Sequence, residues 1–260
     1  MFGQSRGLKQ RVSLTAGHWL IQRRSDDRYI FSYPRSGNTW LRTMLAYLLR
    51  PDAASNPEIR DALISGVSIR KAFHINTLPS PRFISSHSWY RRGIPTAVYL
   101  VRDGRDVLVS YYHYRVTRRG RAEEESFSEF FDRYCQGAYG HLWHENVESW
   151  LGEGRSIMGE RLMQVRFEDL KQETEVVLGE IAHFLEIPTS PDQLREAIEA
   201  ASLERMRKVE RSRLGELANS DMSFYRGGRS GQWSDYFDTS IEQRFYAVSS
   251  NALRLAGYDF

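Results

Sequence analysis

The chain has 260 residues, 41% of them hydrophobic and 27% charged, and a formal net charge of +3, which suits a globular protein of one large α/β domain or at most two small ones. Its single cysteine, Cys135, excludes an internal disulfide and a cysteine-rich metal site. The small net charge gives little support to a nucleic-acid partner.

The first predicted strand, residues 29–33, runs directly into a Pro-Arg-Ser-Gly-Asn-Thr turn and then into a helix over 38–49. Such a tight junction places several backbone N–H groups and the positive end of a helix dipole at one spot, which suits an anion. The turn adds one cation and three hydrogen-bonding side chains, those of Arg35, Ser36, Asn38 and Thr39. The junction therefore predicts a phosphate-like ligand.

Three further apolar runs predict strands, and helical patterns separate or follow them. The strands are 82–86, 97–101 and 162–167, and the helices are 104–118, 126–150 with a break near Gly137 and Gly140, 173–186, 192–206 and 240–256. This alternation predicts a single-domain α/β fold in which helices flank a central parallel sheet, with a P-loop-like strand-turn-helix site. In such sheets ligands bind at the carboxyl ends of the strands.

Three parts of the chain fit this alternation less simply. Residues 1–28 are interpreted as an N-terminal extension of a single domain over 1–260. Residues 51–80 predict a loop-rich excursion with a short helix, and 207–239 predict a lid and phosphate loop over the active site.

Three motifs beyond the first turn place polar groups where a ligand could bind. Arg102 follows strand 97–101, so it should lie at the carboxyl edge of the sheet, near the first turn if the strands are neighbours. The stretch Arg226-Gly227-Gly228-Arg229-Ser230-Gly231 lets a backbone approach an oxyanion closely, or is simply a flexible loop. His87 ends strand 82–86, where a base would be well placed, although a lone histidine is more often structural.

Four stretches, "YPRSGNTW", "VRDGRDVLVSYYH", "RFEDL" and "FYRGGRSGQW", resemble in order and spacing the motifs of the cytosolic-type sulfotransferases. The resemblance runs from about Tyr29 to the C-terminus. It implies transfer of a sulfuryl group from 3′-phosphoadenosine 5′-phosphosulfate (PAPS) to a hydroxyl or, less often, an amine, without a metal.

The resemblance also implies roles for individual residues. The 5′-phosphosulfate loop would consist of Arg35, Ser36, Gly37, Asn38 and Thr39. Trp40 would pack on the adenine, Phe167 would lie by the nucleotide, and His87 would be the catalytic base. The 3′-phosphate would be held by Arg102, Ser110, Arg226, Gly227 and Gly228.

Three departures from the family pattern concern the site. Ser85-Ser86-His87 stands where the family often has Lys-Thr-His, so a cation near the transferring group is missing. Phe167 stands where a tyrosine is frequent, and Gly227 replaces a lysine of the closing loop. Arg35 is then the main identified cation at the sulfuryl group and a catalytic residue.

Two alternatives were weighed against this interpretation. A P-loop nucleotide kinase or ATPase should show G-x-x-x-x-G-K-[ST], and the turn has neither that spacing nor its lysine. A non-catalytic polyanion-binding module would use the arginines within 115–121, but acidic residues 123–125 follow at once, which is typical of a solvated helix end.

The predicted acceptor is a small or medium-sized metabolite, and its pocket would draw on an aromatic set. Candidate walls are Phe73, His74, Trp89, Tyr90, Tyr134, Tyr139 and Trp143. No apolar run approaches the ~20 residues of a membrane span, and the basic N-terminus lacks a signal core. We therefore expect a cytoplasmic monomer or homodimer with no nucleic-acid and no membrane partner.

Overall fold

The computed structural model of the chain describes residues 17–118, 125–214 and 229–260. Its centre is a sheet of five parallel strands in the order β2-β3-β1-β4-β5. The strands are β1 (Arg28–Ser32), β2 (Ile64–Gly66), β3 (Phe83–Ser86), β4 (Thr96–Val101) and β5 (Leu162–Arg166). Because β1 pairs with both β3 and β4, the turn that follows it lies at the middle of the carboxyl edge.

Helices cover both faces of this sheet. Before β5 they are α1 (Asn38–Leu49), α2 (Pro57–Leu63), α3 (Ile69–Thr77), α4 (Gly104–Arg118), α5 (Phe127–Cys135), α6 (Trp143–Glu148) and α7 (Arg155–Met158). After β5 they are α8 (Phe167–Gln172), α9 (Thr174–Phe184), α10 (Pro191–Ala200), α11 (Leu203–Leu214) and α12 (Thr239–Ala256). A π-helical stretch, Ser149–Gly154, joins α6 to α7. No helix in the described part of the chain is long and apolar enough to cross a membrane.

Alternation along the strands divides the core into two clusters, one on each face of the sheet. On β1, Tyr29 and Phe31 belong to one cluster together with Trp150, whereas Ile30 belongs to the other together with Leu41. All five residues of β1 are buried, as expected for a central parallel strand covered on both faces.

The predicted fold class is confirmed, and most predicted bounds agree with the structure within one or two residues. The prediction was wrong for 51–80, which holds a short 3-10 helix, two α-helices and the edge strand β2 instead of a loop-rich excursion with one helix. The predicted helix 192–206 is two helices, because the chain leaves the helical path at Ala201 and Ser202. Residues 207–214 of the predicted lid belong to α11, and 215–228 lie outside the described residues.

Candidate active site

The turn after β1 is shaped for an anion by its backbone. Gly37 is the N-cap of α1 in the left-handed conformation, with φ +94°, and no side chain caps the helix. The first N–H groups of a helix have no partner within it, so an uncapped end offers several donors and a positive dipole. A Cβ on Gly37 would lie 2.6 Å from Cδ2 of Phe167, so this position also has no room for a side chain.

The side chains of the turn add polar groups beside those donors. Ser36 is fully buried, and its hydroxyl has no hydrogen-bond partner in the part of the chain that the structure describes. Arg35 has a positive φ of 73°, uncommon for a residue with a side chain. Its Nε donates to Oγ of Ser110 on α4 over 3.2 Å, and its guanidinium lies 4.8 Å from the ring centre of Tyr114. Two residues predicted to share the donor site are thus in direct contact.

Arg102, directly after β4, reaches the same edge of the sheet. It is 7% exposed, and its guanidinium lies 4.7 Å from the ring centre of Phe167, the residue that also faces Gly37. Its Nη2 donates to the carbonyl oxygen of Arg229 over 2.8 Å. Its Nε is buried and has no hydrogen-bond partner among the described residues. Phe167 also meets Trp40 edge-on at 5.9 Å, so Phe167 lies in contact with both Trp40 and Arg102.

Asp106, which the sequence reasoning missed, holds the segment that contains Gly231 and Trp233. Its two carboxylate oxygens accept the backbone N–H groups of Gly231 (2.8 Å) and Trp233 (3.1 Å). One of them also lies 3.6 Å from Nη2 of Arg102. Burial raises the pKa of the Asp106 carboxyl, and the charge of Arg102 partly opposes that rise. The signal in the sequence was the second aspartate of "VRDGRD", one helical turn after Arg102.

His87, directly after β3, has a tautomer set by its neighbours. Its Nδ1 lies 2.8 Å from the carbonyl oxygen and 3.2 Å from Oγ of Ser32, at the end of β1. A proton on Nδ1 is donated to that carbonyl, which leaves Nε2 as the nitrogen that can accept a proton. Burial lowers the pKa of His87; the Ser32 contact raises it, and the charges of Arg42 and Arg35 lower it further.

Asn38 connects the turn to the end of β3. Its Nδ2 donates to Oγ of Ser32 over 3.1 Å, and its Oδ1 accepts from the hydroxyl of Ser85 over 3.1 Å. Ser85, where a lysine was expected from the family pattern, is therefore engaged in a neutral contact with the turn. Asn38 links Ser32 and Ser85, and Ser32 in turn orients His87.

A second histidine, His18, supports the segment around His87 from the opposite side. Its Nε2 lies 2.8 Å from Oγ of Ser86 and 3.0 Å from Oγ of Ser88. Burial, with the nearby charges of Arg91 and Arg23, lowers the pKa of His18 to about 4. His18 is therefore neutral at physiological pH, and the N-terminal extension contributes a structural contact that sequence reasoning did not foresee.

The aromatic set proposed for the acceptor is dispersed. Trp143 is fully buried, where its indole N–H donates to the Arg102 carbonyl and its backbone N–H to the Tyr134 hydroxyl. Phe73 is exposed on α3. Trp89, two residues after His87, meets the ring of His141 at 5.1 Å.

Some predicted site features cannot be compared with the structure. Arg226, Gly227 and Gly228 lie outside the described residues. In the ranges 17–118, 125–214 and 229–260, no group of three or more histidine, cysteine, aspartate or glutamate side chains could hold a metal ion.

Comparison with known proteins identifies the family. Residues 25–257 match the sulfotransferase domain. Sulfotransferase 1E1 of Homo sapiens is 27% identical over 249 residues, which cover 86% of this chain and 83% of that protein. Because the family match spans most of the chain, the chain belongs to the sulfotransferase family, and the predicted resemblance is confirmed.

Two solved structures share the fold. Mouse sulfotransferase SULT7A1, complexed with PAP, has a TM-score of 0.67 at 23% identity over 96% of this chain and 90% of its own. A retinol dehydratase in complex with androsterone and the inactive cofactor PAP has a TM-score of 0.71 at 19% identity over 98% of this chain and 88% of its own. At these identities the likeness establishes the fold, and the five-strand parallel sheet is that of a sulfotransferase.

Proposed function

We propose that this sulfotransferase moves a sulfuryl group from PAPS to a hydroxyl of a small or medium-sized molecule. One observation carries the proposal: the turn after β1, His87 after β3 and Arg102 after β4 share the central carboxyl edge of the sheet. Contacts from Arg35 to Ser110 and from His87 to Ser32 join these strand ends. A donor and an acceptor could thus meet between a cationic turn and a base.

The turn has the properties that the 5′ end of the donor requires. The uncapped N-terminus of α1 and the unpartnered Ser36 hydroxyl supply hydrogen-bond donors, and Arg35 supplies a positive charge. Gly37 has no side chain where the Phe167 ring packs, and its left-handed φ of +94° is a conformation that glycine adopts without strain. PAP is bound in both solved neighbours, which supports the same nucleotide here.

The 3′-phosphate is assigned to Arg102 and Ser110. Arg102 is nearly buried and has an Nε without a protein partner among the described residues, and a buried guanidinium favours an anionic ligand. Ser110 lies beside Arg35, so the two phosphate positions would share a wall. Trp40 and Phe167, whose rings are in contact, are proposed to pack against the adenine. Arg226, Gly227 and Gly228 are proposed to close over the same phosphate.

His87 is proposed as the general base. Its Nδ1–H is directed at the Ser32 carbonyl, so Nε2 would take the proton of the acceptor hydroxyl as the oxygen attacks sulfur. Its lowered pKa keeps the ring neutral at physiological pH, which a base requires. Arg35 and the N–H groups of the turn would stabilise the negative charge that develops on the leaving oxygen. Positioning and charge stabilisation account for most of the rate in such in-line transfers.

The test is transfer of ³⁵S-labelled sulfate from PAPS to a panel containing a phenol, a steroid alcohol, an alkyl alcohol and an amine. We expect label in at least one hydroxyl acceptor and none when adenosine 5′-phosphosulfate, which lacks the 3′-phosphate, replaces PAPS at equal concentration. Transfer that is equally fast from both donors would contradict the assignment of Arg102 and Ser110. Labelling of the amine alone would overturn the hydroxyl acceptor.

A further inference from the structure

Three segments pack side by side on one flank of the fold: residues 17–24, helix α3 and residues 88–95. Asn76 of α3 donates to the Leu20 carbonyl over 2.9 Å and accepts the Gln22 N–H over 2.9 Å. Arg23 donates to the Arg92 carbonyl over 2.6 Å. We call their joint surface the basic-aromatic face.

This face exposes an unusual amount of large apolar side chain. Trp19 is 73% exposed and Phe73 is 70% exposed, the two highest values among the large hydrophobic residues in the described ranges. Ile69, one helical turn before Phe73, and Leu20, next to Trp19, are also exposed. Single exposed apolar residues are normal, but four on two abutting segments, including two aromatic rings, mark an interaction surface.

The charge of the face is positive. The sequence has no aspartate or glutamate from residue 62 through 102, nor from 17 through 25, although the whole chain has 33 acidic residues. Arg70 is exposed on α3, and the guanidinium of Arg91 lies 5.5 Å from the ring centre of Trp19. Arg91 Nε is buried and has no hydrogen-bond partner in the described part of the chain.

In the described part of the chain, the acidic groups that approach the face lie at its rim. Glu153 lies 3.7 Å from Arg92 across a largely exposed pair, and Asp61 is close enough to Lys71 to feel its charge. Asp27 is fully buried and pairs with Arg82, so it does not neutralise the surface. Exposed tryptophan, phenylalanine and aliphatic side chains therefore lie among arginines with few opposing charges.

We propose that the basic-aromatic face docks on the surface of an anionic lipid bilayer. Aromatic and aliphatic side chains enter the headgroup–acyl boundary, while arginines remain at the level of the anionic headgroups. The absence of an apolar span led to the expectation of no membrane partner, but docking of this kind needs no span.

Two other occupants fit the face less well. A second copy of the chain, joined by a two-fold axis, would oppose the same arginines to one another, which is unfavourable. A nucleic acid would use the arginines but would leave the exposed aliphatic side chains of Leu20 and Ile69 without apolar partners. An acidic protein remains as an outcome that the experiment separates.

The experiment is co-sedimentation of the full chain with two kinds of vesicle, one of phosphatidylcholine alone and one with about a third phosphatidylserine. We expect binding to the anionic vesicles, weakening with salt, and little binding to the neutral ones. The double variant Trp19→Ala/Phe73→Ala should lose at least about tenfold in vesicle affinity, since two exposed aromatic rings no longer insert. Arg70→Glu/Arg92→Glu should lose at least as much, because it reverses the charge of the face.

Matched control pairs lie elsewhere on the surface. Val176→Ala/Val248→Ala removes exposed apolar groups, and Arg211→Glu/Arg254→Glu reverses exposed charges. We expect both to bind vesicles like the parent chain. Equal losses in a control pair, or no sedimentation with anionic vesicles, would overturn the proposal. The proposal would also be overturned if the chain bound soluble polyglutamate as tightly as it binds vesicles and Trp19→Ala/Phe73→Ala left that binding unchanged. Such a result would indicate an acidic protein as the partner. Thermal melts show whether each variant is folded.

Discussion

The two sides of the proposed active site are built differently. The donor side comprises the turn 33–37 with the start of α1, and Arg102 with the start of α4: two short stretches in which each strand passes directly into its helix. The acceptor side gathers His87 and Trp89 after β3, His141 before α6, and His18 from the N-terminal extension. The turn of the donor side depends mainly on local backbone geometry, whereas the acceptor side depends on contacts between distant parts of the chain.

This difference explains why a sequence motif predicts the donor side of the site but not the acceptor side. A bare glycine and an uncapped helix end follow from a few adjacent residues, so the proposed anion site can be predicted from one short stretch of sequence. The tautomer of His87 depends on the Ser32 carbonyl, 55 residues away, and the packing of Trp89 depends on His141. Acceptor specificity should therefore vary among relatives more readily than donor binding.

The largest expected effect is that of substituting His87, which should reduce turnover and leave donor binding unchanged. His87→Ala should lose at least about a hundredfold in turnover, the low end for general-base catalysis, and keep its affinity for PAP by calorimetry. His87→Asn should be no better, since an amide cannot accept the proton. In the parent enzyme, kcat/KM should fall only below about pH 6.5, because the lowered pKa of His87 delays its protonation.

The control for this experiment is His144→Ala, a half-buried histidine on α6 with no proposed role. Near-normal turnover of either His87 variant with an alkyl alcohol would remove His87 from the mechanism. If the His87 variants also lost affinity for PAP, His87 would contribute to donor binding as well as to the acceptor side.

The next effect concerns Arg102 on the donor side. Arg102→Ala should cost about 1.5–3 kcal/mol of PAP binding, as for a lost charge-assisted contact, and should reduce the preference for PAP over AMP. Calorimetry with both nucleotides measures it. Arg166→Ala is the matched control, since Arg166 is the last residue of β5 and packs over Tyr258 at 4.5 Å. An unchanged PAP-to-AMP ratio in Arg102→Ala would refute the assignment.

A third effect tests the support of the acceptor side by His18. The folded-state pKa of His18, about 4, is below the unfolded value of about 6.5, so its contribution to stability is complete above pH 6.5 and declines as pH falls toward 4. Between pH 7 and 5 the parent should lose about 2 kcal/mol of unfolding free energy from this group. His18→Gln should be less stable at pH 7 but should lack this part of the pH dependence. Urea unfolding at pH 7 and pH 5 measures this change. If the unfolding free energy changes by the same amount in the parent and in His18→Gln, the prediction is wrong.

The smallest effect probes a long-range contact of the donor side, the one that Asp106 makes. Asp106→Ala removes two hydrogen bonds from Gly231 and Trp233 and should cost about 1–2 kcal/mol of stability. Amide hydrogen exchange at Gly231 and Trp233 should become faster, while exchange in α1 should stay unchanged. Slow exchange at both amides in the variant would show that other contacts hold this segment.

The sequence predicted the sheet and most helices because their apolar periodicities are long and regular. It missed β2, a strand of three residues at the sheet edge, since so short a run has no measurable alternation. It assigned a structural tryptophan, Trp143, to the acceptor walls because composition does not distinguish a core ring from a pocket ring. Asp106 was overlooked because its partners lie 125 and 127 residues further along the chain.

By itself the sequence predicted the family, the parallel α/β fold and a turn suited to an anion, since ordered motifs, alternating apolar periodicities and a strand-turn-helix junction are all patterns along the chain. Only the tertiary structure decided that Arg35 meets Ser110, that Ser32 orients His87, and that His18 supports Ser86 and Ser88. It also decided that Trp19 and Phe73 share an exposed basic flank. The physical reason is that burial, charge environment and tautomer are properties of side chains that meet across many residues, which periodicity and motif spacing do not encode.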